Sequence, residues 1–312
     1  MTPPLVSIVI PTRNGAATLP ALLDAIARQQ VDFGVEIVAV DSGSTDGSTA
    51  LLRARNVRII AVDPGSFDHG LTRNIGIDAA AGDLIVLIVQ DAMPASDRWL
   101  ADLTAPLRSD ARIAGTFARQ YPRADASRVT RHYLGRWVAS SDVERVAAVD
   151  GPSAFDALAP AARLDICTFD NVCSCIRRSI WSRHPFRATP IGEDVEWAKD
   201  VLMAGYRIAY VPQAAVIHSH ERSVHYEFAR TFALHRRLYE LFALRTIPDL
   251  PHLMRAVASS VLVHFRYAIQ EWRRPVRAGR SIGLAVAWPA GQYLGALAAI
   301  RGWKSSRSRL VG

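Results

Sequence analysis

Apolar runs alternate with helix-spaced segments through the first third of the chain. VSIVIPT (Val6 to Thr12) is a short apolar run, LPALLDAIARQ repeats its apolar residues at the helical period, and EIVAVDSGS is a second run. That pattern predicts strand, helix, strand. STDGSTALLRA opens a further helix with Ser44 or Thr45 as its cap. VRIIAVD is a third strand, LTRNIGIDAAA a helix, and GDLIVLIVQD a fourth strand. Strands that are apolar throughout are buried on both faces, so an α/β fold is expected, with a mostly parallel, Rossmann-like sheet and helices on both faces.

Beyond Arg119 the periodicity is irregular until NVCSCIRRSIW, a strand running into a helix. GEDVEWAKDVLMAGY is an amphipathic helix opening on two carboxylates, and RIAYVPQAAVIHSHE reads as two short strands parted by Pro212. From Val224 onward the pattern is helical, and no internal repeat is present. Parallel sheets bind ligands outside the carboxyl ends of their strands. Four successive strand ends carry polar groups there: Thr12, Arg13 and Asn14; Asp41 and Ser42; Asp63 to His69; Gln90 and Asp91. One such end would read as a cap or turn; four together point to a site.

With 312 residues and 50% hydrophobic composition the chain has material for a large core. Its three cysteines, Cys167, Cys173 and Cys175, are too few and too local for a disulfide framework, which favours a reducing compartment and buried thiols. Met1 to Pro4 has no basic region, so no secretory leader is expected and the protein is placed in the cytoplasm. The net charge of +8 is unevenly placed: residues 1 to 220 carry −2 and residues 221 to 312 carry +10. No Asp or Glu follows Glu271. Such a tail suits an anionic surface, lipid or nucleic acid, and no recognition motif for nucleic acid accompanies the charge.

IVIPTRNG, VDSGSTDGS, the acid closing the fourth run, and GEDVEW stand in the order and approximate spacing of the inverting family 2 glycosyltransferases. Over about Val6 to Ser223 the chain resembles that family, which implies a GT-A fold binding a nucleotide sugar. GSFDHGLTRNIGI followed by VQDAMP resembles more narrowly the bacterial rhamnosyltransferase branch. That implies a dTDP-rhamnose donor and transfer of L-rhamnose to a glycan or polyprenyl-linked acceptor in cell-surface polysaccharide synthesis. The division expected is a GT-A domain at 1–223, with a nucleotide-binding half to about 118 and an acceptor-binding half at 119–223, followed by a helical basic region at 224–312.

The Asp41 carboxylate can accept the imide N–H of uracil or thymine, with Pro11, Thr12, Arg13, Asn14 and Ser42 lining the same edge; the competing reading is that Asp41 caps its own turn. No Gly-x-Gly-x-x-Gly follows the first strand and no Walker loop occurs, so dinucleotide and P-loop chemistries lose support. His69 and Arg73, at a helix start, are the cations expected near a diphosphate, with Gln90 beside them. The family usually closes the fourth strand with Asp-x-Asp holding Mg2+ or Mn2+; here Val89 takes the first position and only Asp91 remains. A hard cation needs few protein oxygens when phosphates complete its shell, so His218 is the expected second metal ligand, with His220 turned to the other face of an extended segment.

By the resemblance, Asp194 is the base that accepts the acceptor's proton and Glu193 supports it, both held ionised by helix amides. Asn171 is expected at a sugar hydroxyl, and Arg177 or Arg178 at a phosphate or the acceptor. A nucleotide-sugar-binding protein without turnover, motivated by Val89, and a transferase using another UDP- or GDP-sugar stand as alternatives. Ser281 to Ile300 is an uncharged 20-mer, long enough to span a bilayer but only mildly apolar. It is expected as an interfacial helix at the inner membrane surface, with Trp288, Tyr293 and Trp303 at headgroup level. Arg273, Arg274, Arg277, Arg280, Arg301, Lys304, Arg307 and Arg309 would then contact anionic lipid; packing into a soluble fold or a homodimer is the alternative.

Overall fold

The computed structural model describes residues 6–303; Lys304, Arg307 and Arg309 lie outside the described residues. The first half follows the expected alternation: β1 Val6–Thr12, α1 Leu19–Ala27, β2 Val35–Asp41, α2 Ser48–Ala54, β3 Arg58–Ala61, α3 His69–Ala79 and β4 Leu84–Ile88. Then come β5 Met93–Pro94, α4 Trp99–Ser109, β6 Ile113–Tyr121, α5 Arg128–Leu134, β7 Arg145–Ala147, α6 Gly151–Ala157 and α7 Pro160–Ile166. β8 Cys173–Arg177, α8 Arg178–Trp181, α9 Glu193–Met203 and β9 Arg207–Ile217 complete the sheet-forming part, and α10 Val224–Phe242, α11 Leu250–Gln270 and α12 Pro275–Ile300 follow.

One sheet runs in the order β3-β2-β1-β4-β8-β6-β9-β5, with β7 also paired to β9. β3, β2, β1 and β4 are parallel, in a register that sets Thr12 beside Asp41 and Asp41 beside Ala61, so their carboxyl ends share one edge. β8 enters antiparallel between β4 and β6, which makes the second half of the sheet mixed. That brings the segment just before β8, with Asp170 and Asn171, to the edge where β4 ends. The α/β class and the helical cover on both faces hold: Leu22, Trp99 and Leu103 pack on one side, Ile77, Phe169 and Trp197 on the other.

Three local expectations are corrected. RIAYVPQAAVI is one strand, not two: Pro212 lacks an N–H, and the pairing with β6 jumps from Val211 to Ala215 around it while the strand continues. α2 begins at Ser48 after Gly47, because Ser44 is engaged with the Asn14 amide and the Asp46 carboxylate receives the Ser48 N–H instead. The third concerns α12. Its small residues let it press against α10, where a Cβ on Gly295 would lie 2.3 Å from the Phe232 carbonyl oxygen. Trp288 is accordingly half-buried in contacts of the fold itself, its ring 4.5 Å from Tyr133 and its N–H donating to Glu227 at 3.3 Å.

Candidate active site

The carboxyl ends of β1 and β2 carry two loops stitched together by their own polar groups. The Asn14 N–H donates to Ser44 Oγ (2.9 Å), the Asn14 side-chain oxygen accepts from the Thr45 N–H (2.9 Å), and the Gly15 N–H donates to Ser48 Oγ (2.8 Å). Asn14 adopts a positive φ of 48°, a conformation asparagine tolerates. Asp41 is buried at the heart of this unit. Its Oδ2 accepts from the N–H groups of Gly43 (3.1 Å) and Ser44 (3.0 Å), whereas Oδ1 has no partner among the described residues, and neither has Ser42 Oγ. The turn-capping reading thus accounts for Oδ2, and Oδ1 is left unused by the turn. Thr12 is buried with its hydroxyl on the Ile10 carbonyl. Gln90 differs from expectation: both ends of its amide are taken by the Arg13 main chain (3.0 and 2.9 Å), so it braces the loop at the end of β1.

Asp91 follows Gln90 and faces two histidines. His218 Nε2 lies 3.8 Å and His220 Nδ1 3.6 Å from its carboxylate, and one ligand-type atom from each of the three falls within 4.8 Å of the others. The prediction that His220 turns away is corrected. Residues two apart in an extended segment share a face, and just past the end of β9 at Ile217 the two rings meet edge to face with Nε2 atoms 3.0 Å apart. Gln120 Oε1 meets His218 Nδ1 at 3.1 Å, which puts the proton on Nδ1 and turns the Nε2 lone pair toward His220 and Asp91. Burial pulls the His218 imidazole down to about 4, against the opposing charge of Asp91, so the ring is neutral at neutral pH. Arg123 also reaches Asp91, with Nη2 3.6 Å from the carboxylate.

Gln120 continues the network. Its amide donates to Asp170 at 2.5 Å; Asp170 also takes the Val172 N–H, and the half-exposed Trp137 indole faces it. Beyond Asp170 stand the two carboxylates that open α9 after Gly192, itself at φ 78°. Glu193 is buried against Arg73, with Oε1 3.1 Å from Nη1, and Asn171 Nδ2 lies 3.4 Å from the same oxygen. Arg73 also donates to the carbonyls of His69 and Asn171, so it supports the acidic pair, and only its Nε has no partner. Asp194 remains partly accessible, receiving the Val195 N–H at 2.8 Å and the Asn171 N–H at 3.4 Å.

The expected sense of the Asp194 titration is reversed. Burial, and then the charges of Glu193 and Asp170, push its carboxyl up to about 8, outweighing the amides of the helix start. His69 is pulled down by burial. Arg177 and Arg178, offered as phosphate or acceptor contacts, are not at this edge: they bind the carbonyls of Leu107 and Ala80 at the amino end of β4. A pocket of about 450 Å³ lined by Asp83, Leu107, Arg108 and Arg177 opens there, away from the carboxylates.

Several participants carry no motif. Arg230 on α10 lies within electrostatic reach of His69, Asp170, His218 and His220, yet it sits in the polar face of a long helix that any surface arginine could occupy. Asp170 had one usable signal, its position next to Asn171 before an apolar strand.

The arrangement is a polar edge running from an orphaned carboxylate oxygen, through a carboxylate-imidazole cluster, to a carboxylate of raised pKa. The model of the family Glycosyl transferase family 2 matches residues 7–164. The O-antigen chain rhamnosyltransferase RfbN of Salmonella typhimurium is 31% identical over 234 residues, covering 73% of this chain and 70% of its own length. The O-antigen chain rhamnosyltransferase WbaN of Salmonella anatum is 28% identical over 236 residues, with the same two shares of 73% and 70%. Among solved structures, the mannosyltransferase PcManGT of Pyrobaculum calidifontis, in complex with GDP-Man and Mn2+, superposes at a TM-score of 0.59 with 17% identity, covering 97% of this chain and 89% of that one. Sequence family and GT-A-like architecture agree with the order of the motifs along the sheet edge, and the chain is a glycosyltransferase that belongs to glycosyl transferase family 2.

Proposed function

We propose that this chain transfers L-rhamnose from dTDP-rhamnose, with inversion, to a hydroxyl of a glycan or polyprenyl-linked acceptor in cell-surface polysaccharide synthesis. The observation that carries the reading is the polar edge from Asp41 to Asp194; in this reading the donor's base lies at the Asp41 end and the acceptor's hydroxyl at the Asp194 end. Kinship to two O-antigen chain rhamnosyltransferases supports the choice of sugar.

The free Oδ1 of Asp41 accepts the imide N–H of the thymine, while its Oδ2 holds the loop. Asp91, His218 and His220 fit a divalent cation: the donor set is one carboxylate and two imidazoles, with His218 neutral and oriented by Gln120. Two nitrogens favour Mn2+ over Mg2+. An ion there would supply Lewis-acid stabilisation of the diphosphate. Asp194 accepts the proton of the acceptor hydroxyl as that oxygen bonds the anomeric carbon. The carbon–oxygen bond to the diphosphate breaks on the opposite face, and its electron pair leaves with the nucleotide. Glu193, fixed by Arg73, holds a negative charge beside Asp194 that keeps its basicity high.

A nucleotide-sugar-binding protein without turnover draws on one observation, the raised pKa that leaves Asp194 largely protonated at pH 7. Release of dTDP from dTDP-rhamnose in the presence of Mn2+ and an isolated glycan acceptor separates the two. Turnover lost in Asp194→Asn, with donor binding retained, supports transfer; a donor-induced rise in melting temperature with no turnover at pH 8 or above supports the rival. A larger rise with UDP- or GDP-sugars than with dTDP-rhamnose overturns the choice of donor.

A further inference from the structure

The segment long and apolar enough to cross a bilayer, α12, is a packing helix: 44% of its most apolar window is buried, against α10 and α11. The unpartnered apolar surface belongs to α11. Leu250, Met254, Val261, Leu262, Phe265 and Ile269 are all exposed, Leu262 by 69% and Met254 by 65%. At 100° per residue these six fall within an arc of about 120°, while His264, about 100° round from the middle of that arc, is fully buried, its ring bonded to the Ser281 carbonyl and the Tyr133 hydroxyl. Trp272 and Val276, 68% and 84% exposed, extend the stripe past the end of the helix.

Apart from Asp249, the cap at the start of α11, the charges bordering the stripe are positive. α11 contains Arg255 and Arg266 and no acid, and Arg273 and Arg274 follow it. The five acids beyond residue 220 each have a partner: Glu221 binds Arg280, Glu227 binds Trp288, Glu240 binds Arg236 and Arg237, the exposed Asp249 caps α11, and Glu271 receives the Arg128 N–H. Arg255, Arg266, Arg273 and Arg274 form no ion pair among the described residues. A two-fold pairing of α11 with a second copy would set arginine against arginine with no acid between them, whereas an anionic lipid surface satisfies both the apolar stripe and its cationic border.

We propose that α11, with the turn to α12, is the surface by which the protein lies on an anionic lipid bilayer. This deepens the reading of a lipid-linked acceptor, since α11 is bonded to α5 in the expected acceptor-binding half through Tyr133 with His264 (2.9 Å) and His132 with Tyr267 (2.7 Å). A membrane held by α11 is thereby held at a fixed offset from the acceptor-binding half.

The test is flotation of the full chain with vesicles of phosphatidylcholine containing about a third phosphatidylglycerol, and with pure phosphatidylcholine vesicles. Binding to the anionic vesicles is expected, falling steeply between low and high salt. The double variant Leu262→Glu, Phe265→Glu is expected to bind at least about tenfold more weakly, and Arg255→Ser, Arg266→Ser to lose most of the salt dependence. All four side chains are exposed, so melting temperatures and nucleotide-induced thermal shifts are expected to stay unchanged, which separates failure here from failure of the donor reading. Absence of flotation, equal flotation of wild type and Leu262→Glu, Phe265→Glu, or a concentration-dependent dimer that this variant abolishes, would overturn the proposal.

Discussion

Glu193 and Arg73 meet at 3.1 Å with both side chains almost wholly enclosed, and the carboxylate that would do the chemistry is the next residue along. The ion pair fixes a negative charge where it acts on Asp194 from the first turn of the same helix. Removing one partner of a buried pair strands the other, so Arg73→Ala is expected to lower stability by about 3–5 kcal/mol. Glu193→Gln strands a cation instead, but it removes a charge that raises the Asp194 pKa. Its acid limb of kcat/KM is therefore expected to move to lower pH. Denaturant melts and pH–rate profiles of the two variants check both statements; a limb unmoved in Glu193→Gln would show that burial alone sets the Asp194 pKa.

The Asp194 carboxyl, pushed up to about 8 from an ordinary value near 3.8, makes a prediction with a definite sign. The folded state holds this proton more tightly than the unfolded chain, so the stability contributed by the neutral form is fully present below pH 4 and is lost as pH rises through 8. Asp194→Asn has no such loss. Its advantage in melting temperature over the wild type is expected to grow from pH 4 to pH 8 and then level off, with a ceiling of a few kcal/mol at about 1.4 kcal/mol per pH unit. The same substitution is expected to lower turnover by about a hundredfold to ten-thousandfold. In the wild type, activity should rise with pH up to about 8, because the base is the ionised form. A flat difference in melting temperature across that range would mean Asp194 is already charged at pH 5.

The first four strands were legible because burial on both faces leaves nothing but apolar residues in them, and the polar residues at their ends then stand out. Asp41, Asp91 and Asp194 were visible for the same reason: each breaks an apolar or helical pattern at an element boundary. The antiparallel entry of β8 was not visible, since a short buried strand reads alike in either direction. His220 was misjudged because residues two apart in an extended segment share a face, so the period-2 rule sets it beside His218 and not opposite it. Arg73 was placed at the diphosphate from its position in α3, and only tertiary contact reveals that Glu193, 120 residues away, claims it. The Gly- and Ala-rich α12 read as a weakly apolar interfacial helix, when its small side chains serve close approach to α10.

Gln120 tests the carboxylate-imidazole cluster without touching its ligating atoms. Its Oε1 fixes the His218 ring through Nδ1 while its Nε2 holds Asp170, so Gln120→Leu frees the imidazole to rotate and strands the carboxylate. Loss of a group that orients a metal-bound histidine typically weakens the metal by 10–100-fold, and that range is expected for Mn2+ in the presence of dTDP. His220→Ala should weaken it at least as much, and EDTA should abolish the Mn2+-dependent part of the dTDP thermal shift. Isothermal titration of Mn2+ into the dTDP complex reads all three. Undiminished Mn2+ affinity in His220→Ala would remove His220 from the ligand set.

On the proposed base-reading role the two oxygens of Asp41 have separate tasks, and one substitution distinguishes them. Oδ2 accepts two N–H groups from the turn, so in Asp41→Asn the amide oxygen must take that place, and Nδ2 then stands where the unpartnered Oδ1 was. A donor there opposes the imide N–H of thymine or uracil but matches the ring nitrogen acceptor of cytosine. Affinity for dTDP is therefore expected to fall by roughly ten- to a hundredfold, the consequence of losing a hydrogen bond to a charged group worth about 1.5–3 kcal/mol. CDP is expected to gain relative to dTDP. Asp41→Ala loses both functions, so it should weaken dTDP and also lower the melting temperature of the ligand-free protein as the turn at Gly43 loses its acceptor. Competition between dTDP and CDP for the same site measures the switch: if Asp41→Asn weakens the two nucleotides equally, Asp41 holds the loop and does not read the base.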